Sequence, residues 1–145
     1  MSAEKVSRLV LDYLDALLAR GDFARFYSEQ VTFGVPTVGW STQGREAVER
    51  AIRHHYEVEF DSRPEVLNVV AGESGAAAEL IFAGPNIGVL AGNPPTGNVV
   101  RIPIGLFIDV DSEAGQIAGL RVYYDRDQFL QQVRDGVREP DHATG

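Results

Sequence analysis

Residues 98–125, NVVRIPIGLFIDVDSEAGQIAGLRVYYD, carry the clearest structural signal in this chain. Apolar side chains recur at every second position on either side of a short polar segment, DSEAG, at 111–115. A period of two residues interrupted by a polar turn is typical of an antiparallel hairpin. We therefore predict strands over Asn98–Val110 and Gln116–Asp125.

Both faces of the first of these strands are apolar. One face carries Val100, Ile102, Ile104, Leu106 and Ile108, and the other carries Val99, Pro103 and Phe107. An antiparallel strand on the surface of a monomer normally has one solvated face. We expect one face to cover a core or an internal pocket and the other to meet a second subunit. Alternatively, different parts of this long strand pack on different helices.

Two further strands, Glu65–Ala71 and Ala76–Ala83, are predicted upstream and are separated by a glycine-containing turn. Before Pro64, apolar residues follow the three-to-four spacing of amphipathic helices instead. We predict a first helix over 6–18 and a short second helix from Asp22 through Tyr27.

A third helix is predicted to begin near Gln43 and to run through GREAVERAIRHHYEVE at 44–59. A closing helix runs from Arg126 to about Val137, with Asp125 as its N-cap. Helices followed by a run of strands indicate an α+β fold rather than a parallel sheet. We predict one domain over residues 1–137 and a disordered tail at 138–145.

Composition narrows the possible partners. The chain has 145 residues and a net charge of −8, and its basic residues are scattered, so we predict no binding to nucleic acid or to anionic membranes. The absence of cysteine excludes disulfides, thiolate metal sites and cysteine nucleophiles, and it suits a cytoplasmic location. No stretch is long and apolar enough to predict a membrane span.

Four motifs occur in a characteristic order, namely GREAV at 44–48, FD at 60–61, PPTG at 94–97 and GQIAGLRVYYD at 115–125. Over residues 5–135 the chain resembles the SnoaL-like polyketide cyclase and ketosteroid-isomerase-like branch of the nuclear-transport-factor-2-like superfamily. The resemblance implies a cone-shaped, curved antiparallel sheet packed with N-terminal helices around a hydrophobic pocket. It implies a fold more strongly than a reaction, because this fold hosts many functions.

The resemblance also indicates which reactions this chain lacks the residues for. In epoxide-hydrolase relatives, an Asp–Arg–Asp triad that activates water aligns with Leu80, Phe82 and Val122. Two helper residues align with Phe33 and Val35. All five side chains are apolar here, so water activation by that route is not expected.

The proton-transfer groups of the aldol cyclases are also replaced. Their acid/base Asp aligns with Val122, their partner His aligns near Leu106, and the His of a Gly-Thr-His-x-Gly run aligns with Asn86. We therefore expect an apolar site with no metal and no cofactor. Its chemistry would depend on few polar groups, strengthened by a low dielectric.

Three residues are candidates for catalysis. Tyr124 could donate a hydrogen bond to a carbonyl or an enolate, or serve as a core aromatic residue. His55 could act as a general base or be half-buried and structural. It lies about 100° around the helix from His54, so the two should not face one site. Asn86 could polarise a carbonyl, or could serve the backbone of its turn.

Strand alternation selects the candidate substrate-binding residues that lie on the predicted strands, and Phe33, Trp40 and Tyr56 are added from the irregular segment and the third helix. If Ile102, Ile104 and Leu106 face inward, Leu120, Val122 and Tyr124 face inward beside them. A register slip of one residue would turn all of these side chains outward. The predicted substrate-binding residues are Phe33, Trp40, Tyr56, Leu80, Phe82, Ile102, Ile104, Leu106, Leu120 and Val122.

On the opposite face of the sheet, Glu79, Arg101 and Arg121 are in phase. We expect an ion-pair cluster there, with Phe107 and Tyr123 around it, at the interface of a homodimer. A solvated charged face is the alternative.

The predicted function is a cyclase of polyketide or related secondary metabolism that folds an apolar, unsaturated substrate for ring closure. Because the usual acid is absent from the strands, a pericyclic [4+2]-type closure is favoured over an aldol-type one. A double-bond isomerase with His55 as base and a non-catalytic binder of an apolar metabolite are the alternatives.

Overall fold

The structure, a computed structural model, describes residues 1–137. Its helices are α1 (Ala3–Leu18), α2 (Arg45–Arg53) and α3 (Arg126–Asp135), with short 3-10 helices at Phe23–Phe26 and Pro36–Val38. One turn of π-helix, His54–Glu59, continues α2, and we refer to it as the π-turn. The strands are β1 (Tyr27–Val35), β2 (Trp40–Gln43), β3 (Glu65–Ala71), β4 (Gly75–Pro85), β5 (Val99–Asp111) and β6 (Gln116–Tyr123). The predicted disordered tail, 138–145, lies outside the described residues.

The six strands form one curved sheet in the order β2-β1-β6-β5-β4-β3. The α+β fold is therefore confirmed. The four strands predicted from the sequence pair antiparallel with one another, whereas β1 pairs parallel with β6. The sheet is mixed rather than wholly antiparallel, because the chain crosses from β1 through the helical segment before it enters the antiparallel run.

The predicted strand register is confirmed. Leu80 is paired with Ile104, and Leu106 is paired with Val122, so the inward residues of three strands share one face. Burial along β5 alternates strictly except at Gly105, and Ile102, Ile104 and Leu106 are buried. The slip that would have reversed the two faces of the sheet does not occur.

The N-terminal segment differs from prediction after Asp22. Only Phe23–Phe26 form a short helix, and Tyr27 already begins β1. Tyr27 is buried and its hydroxyl lies 2.6 Å from the hydroxyl of Tyr13 on α1, so it is held against the helix layer from the first position of the strand.

The helices cover the inner face of the sheet. The apolar stripe of α1 is buried against β3 and β4, α2 contacts β1, and α3 contacts β5. Asp125 caps α3 as predicted, because its side chain accepts a hydrogen bond from Gln128 N at 3.0 Å. Within residues 1–137, no helix is both long and apolar enough to cross a membrane.

The outer face carries two separate ion pairs rather than the predicted cluster. Arg101 pairs with Glu65 at 2.7 Å, and Arg121 pairs with Asp109. Glu79 is paired with neither arginine, because Arg101 lies opposite Ala83, four residues or about 13 Å along β4. The predicted aromatic neighbours do meet, since Phe107 and Tyr123 pack edge to face at 5.7 Å.

Candidate functional site

A cavity of about 550 Å³ lies between the inner face of the sheet and the helical layer. Its sheet side is mostly apolar, whereas α2 and the π-turn supply most of its polar groups. The lining residues are Phe33, Val35, Trp40, Thr42, Ala47, Arg50, Ala51, Ile52, His54, His55, Tyr56, Glu59, Phe82, Ile102, Ile104, Val122, Tyr124 and Phe129.

Nine of the thirteen predicted site residues line this cavity. They are His55, Tyr124, Phe33, Trp40, Tyr56, Phe82, Ile102, Ile104 and Val122. The other predicted binding residues, Leu80, Leu106 and Leu120, lie on the same face of the sheet but are buried within the hydrophobic core. Strand alternation selects the correct face, but the helix layer determines how much of that face stays open.

Asn86 does not line the cavity and is removed from the catalytic candidates. It is 1% exposed, and its side-chain amide donates to Glu59 O at 2.9 Å and to Gly88 O at 3.1 Å. Its Oδ1 accepts from Thr96 N at 2.8 Å. The backbone role is therefore the one observed, and Asn86 acts as a positioning residue that holds the end of the π-turn.

The chemical centre of the cavity is a hydrogen bond between His55 and Glu59. His55 Nδ1 lies 3.0 Å from Glu59 Oε1, and the Glu59 side chain is only 16% exposed. A carboxylate that accepts from Nδ1–H leaves Nε2 as the free basic nitrogen of the ring. Among residues 1–137, no protein group is hydrogen-bonded to His55 Nε2.

His54 and His55 both line the cavity, contrary to the prediction that they could not share a site. His54 Nε2 lies 3.9 Å from Glu59 Oε2, so one carboxylate faces both imidazoles. The π-turn explains this arrangement. Its i to i+5 hydrogen bonding widens the turn, so that residue 59 lies beneath both residue 54 and residue 55.

Aromatic packing fixes the plane of the His55 ring. The imidazole stacks on Phe82, with ring centroids 5.0 Å apart and planes inclined at 22°. The ring centroids of Phe60 and Phe129 lie 5.4 and 6.2 Å from that of the imidazole. Together with the bond to Glu59, these contacts leave the ring little freedom to rotate, which is the preorganisation that a general base needs.

Two phenols complete the polar part of the cavity. Burial raises the pKa of Tyr56 to about 12. Burial also raises the pKa of Tyr124, with the nearby charge of Glu59 adding to the effect and that of Arg126 opposing it. Both side chains are therefore neutral hydrogen-bond donors at physiological pH, suited to a carbonyl or enolate oxygen.

The carboxylate of this site comes from a helix rather than from a strand. Phe33, Val35, Phe82 and Val122 line the cavity with apolar side chains. Glu59 was not among the sequence-based site candidates, although its position four residues after His55 is the spacing at which helical side chains meet. Thr42, Arg50 and Phe129 also line the cavity without having been predicted. Within the described range, no group of three or more His, Asp or Glu side chains is arranged to hold a metal ion.

A curved sheet, a covering helix layer and an apolar cavity with a few convergent polar groups are the usual features of a small-molecule pocket. Residues 10–120 match the SnoaL-like domain family, and the chain belongs to that family. The family resemblance inferred from the sequence motifs is confirmed.

Solved structures show how widely this fold is shared. A candidate SnoaL-like polyketide cyclase from Jannaschia sp. CCS1 is similar with a TM-score of 0.78 at 17% identity, over 93% of this chain and 95% of that one. A candidate polyketide cyclase from Xanthomonas campestris pv. campestris has a TM-score of 0.77 at 22% identity, over 92% of this chain and 99% of that one. A candidate ketosteroid isomerase from Kribbella flavida DSM 17836 has a TM-score of 0.66 at 19% identity, over 96% of this chain and 84% of that one. No curated protein matches the chain in sequence. At these identities the likeness establishes the fold, and the reaction must be argued from the site.

Proposed function

We propose that this protein is an enzyme that removes a proton beside the carbonyl group of a largely apolar small molecule, leading to ring closure or to a double-bond shift. The single observation that supports this function is the His55–Glu59 hydrogen bond inside the cavity. Cyclases and isomerases are the classes named for the similar structures, and aldol cyclisation and ketosteroid isomerisation both begin with removal of such a proton.

In the proposed reaction, His55 Nε2 takes a proton from the carbon next to the carbonyl. Glu59 holds the ring through Nδ1 and stabilises the imidazolium that forms. Tyr124 donates a hydrogen bond to the enolate oxygen as negative charge develops there. In a ring closure, the enolate carbon attacks a second carbonyl and the resulting alkoxide takes the proton from His55. In an isomerisation, the same proton returns to a different carbon.

The pericyclic closure favoured from sequence is the second candidate. The sequence favours it because the inward strand positions that carry an acid in relatives are apolar here. Glu59 removes that reason by bringing a carboxylate into the cavity from the π-turn. The apolar sheet wall, including Ile102, Ile104 and Val122, still suits a reaction controlled by substrate shape. Such a reaction would depend on cavity volume and would be nearly independent of pH.

Hydrogen–deuterium exchange at the acidic carbons of 2-tetralone, followed by NMR in deuterated water, tests the proton-transfer function without knowledge of the natural substrate. We expect the protein to accelerate exchange, and His55→Gln to lower the rate by about 100-fold or more, as is usual for loss of a general base. Glu59→Gln should also lower it, because the carboxylate charge no longer stabilises the imidazolium.

His54→Gln is the matched control. Its ring contacts the same carboxylate at a longer distance, 3.9 Å, so most of the exchange activity should remain. Failure of the wild-type protein to accelerate exchange would reject the proton-transfer function. In that case, turnover of a linear polyene that is insensitive to His55→Gln but lost in Val122→Phe would support the pericyclic candidate. Affinity without any turnover would support a non-catalytic binder.

A further inference from the structure

Three of the side chains that line the cavity are also exposed to solvent, and they mark its mouth. They are Trp40, Arg50 and His54. Arg50 and His54 are four residues apart on the continuous helix formed by α2 and the π-turn, so they lie on one side of it. The entrance therefore carries a permanent positive charge at one edge.

The guanidinium of Arg50 is available to a ligand. Among residues 1–137, no carboxylate lies within 4.0 Å of it, whereas the next arginine on the helix, Arg53, is paired with both Glu49 and Glu57. Glu59, the acid inside the cavity, is directed to the two histidines. In that part of the chain, Arg50 is thus a charge without a carboxylate partner at the edge of an apolar cavity.

We infer that Arg50 is an anion-binding site at the mouth of the cavity, and that the substrate has an apolar body with a carboxylate at one end. This inference rests on the proposed function, because it describes the substrate of the same cavity. A guanidinium presents paired N–H donors that match a carboxylate, which makes arginine the usual residue for such recognition. Binding of the carboxylate at Arg50 would therefore select both the ligand and its orientation in the cavity.

The carboxylate and the reacting carbon would be different parts of the ligand. Arg50 precedes His55 by five residues, which corresponds to about 7.5 Å along a helix. An acid group held by Arg50 would therefore leave the apolar part of the molecule to enter the cavity and reach His55. Neutral ligands without that group would bind through apolar contacts alone.

The test compares the affinities of two probes that differ only in charge, anthraquinone-2-carboxylate and anthraquinone-2-carboxamide. Trp40 is the only tryptophan in the chain and lines the mouth, so its fluorescence reports binding directly. We expect the wild-type protein to prefer the carboxylate by about fivefold to tenfold, a usual size for a charge-assisted contact that is partly exposed. The preference should weaken as salt is added.

Arg50→Gln should abolish the preference. It should weaken binding of the carboxylate probe and leave the affinity for the carboxamide probe within about twofold of the wild-type value. Arg8→Gln, which removes an exposed arginine from α1 away from the cavity, should keep the preference and serves as the matched control. Absence of a preference in the wild-type protein, including failure of the carboxylate to bind, overturns the inference. Persistence of the preference in Arg50→Gln overturns it equally.

The two proposals fail in different measurements. The binding preference involves no turnover, and the exchange assay uses 2-tetralone, which is neutral. Exchange without a carboxylate preference would reject the anion site and retain the proposed function. A carboxylate preference without exchange would retain the binding site and reject proton transfer by His55.

Discussion

Three tyrosines in the helix layer and first strand are held in the neutral form by their surroundings. The hydroxyls of Tyr13 and Tyr27 lie 2.6 Å apart, and burial raises the pKa of both. Burial also raises the pKa of Tyr56 to about 12. In the unfolded chain each phenol loses its proton near pH 10, so only the folded protein retains these protons above that pH.

Stability should therefore fall as the pH rises above about 10. Between the unfolded and the folded pKa the native state binds more protons than the unfolded state, so the free energy of unfolding decreases with pH. Each such tyrosine should change the unfolding equilibrium constant by about tenfold per pH unit in that window. Tyr56→Phe should lessen this slope, and urea unfolding between about pH 9 and 11 measures it.

The neutral-pH stability of Tyr56→Phe provides the control. Within residues 1–137, the Tyr56 hydroxyl makes no hydrogen bond to the protein, so its removal should change the free energy of unfolding by less than about 1 kcal/mol near pH 7. An unchanged alkaline slope in this variant would show that the Tyr56 hydroxyl is not desolvated in the folded protein.

At the scale of single residues, sequence predicted the apolar part of the site better than its polar part. Ile102, Ile104 and Val122 were placed correctly because strand alternation has a period of two, and one register choice fixes them all. His55 and Glu59 have the spacing of a helical pair, but nothing in the local sequence shows that their side chains point into a cavity. That depends on how α2 lies over β1.

Among the elements, the strongly periodic ones were predicted and the irregular ones were not. β3 has the predicted bounds, and the ends of β4, β5 and β6 lie within two residues of the predicted ones. β1 and β2 were not recognised, because Gly34, Pro36 and Gly39 interrupt their pattern. They are stabilised by pairing with each other, and β1 also pairs with β6, which is distant in sequence.

The π-turn is the element that creates the site, and the segment after β4 holds it in place. The carbonyl of Glu59 accepts hydrogen bonds from Ile87 N, Gly88 N and the side chain of Asn86, at 2.9, 3.1 and 2.9 Å. This segment can approach so closely only because residue 88 is glycine. A Cβ atom there would lie 2.2 Å from Val58 O.

Gly88→Ala should therefore displace the end of the π-turn. Accommodating the added methyl group requires movement of backbone, and such overpacking costs about 1–3 kcal/mol of folding free energy. Exchange of 2-tetralone should fall further than the loss of folded protein explains, because Glu59 moves relative to His55. Thermal unfolding and the exchange rate of the folded protein measure the two effects.

Gly72→Ala is a suitable comparison for this variant. Residue 72 lies in the turn between β3 and β4, and a Cβ atom there would meet only Gly75 O at 3.9 Å, an ordinary contact. Both stability and exchange should be close to those of the wild-type protein. Equal behaviour of the two alanine variants would mean that the close approach at Gly88 does not position Glu59 relative to His55.

In the molecule as a whole, the two faces of the sheet have different surroundings. The inner face forms the core and the cavity, whereas the outer face leaves Val70 63%, Phe107 43% and Tyr123 38% exposed. Val70, Ala77 and Phe107 are cross-strand neighbours in one row, which continues to Arg121. Contiguous apolar surface of this kind marks a site of protein–protein contact more often than a solvated face.

We propose that this outer face joins two copies of the chain in a homodimer. Phe107 lies at the centre of the exposed row, with the Arg121–Asp109 ion pair beside it, so a two-fold contact would bury an apolar centre within a charged rim. Phe107→Glu should convert the dimer to a monomer, because it would place like charges and unsatisfied carboxylates in the buried centre. Sedimentation velocity at micromolar concentration measures the change.

Leu11→Glu tests whether any exposed apolar residue would have the same effect. Leu11 is 45% exposed, close to the 43% of Phe107, but it lies on α1, on the helix side of the sheet. This variant should remain a dimer, because its surface is not part of the outer face. A wild-type protein that sediments as a monomer would refute the proposed dimer, and a dimer that survives Phe107→Glu would move the interface elsewhere. If the dimer forms as proposed, the mouth of the cavity stays open to ligand, because Trp40, Arg50 and His54 line the cavity on the inner side of the sheet.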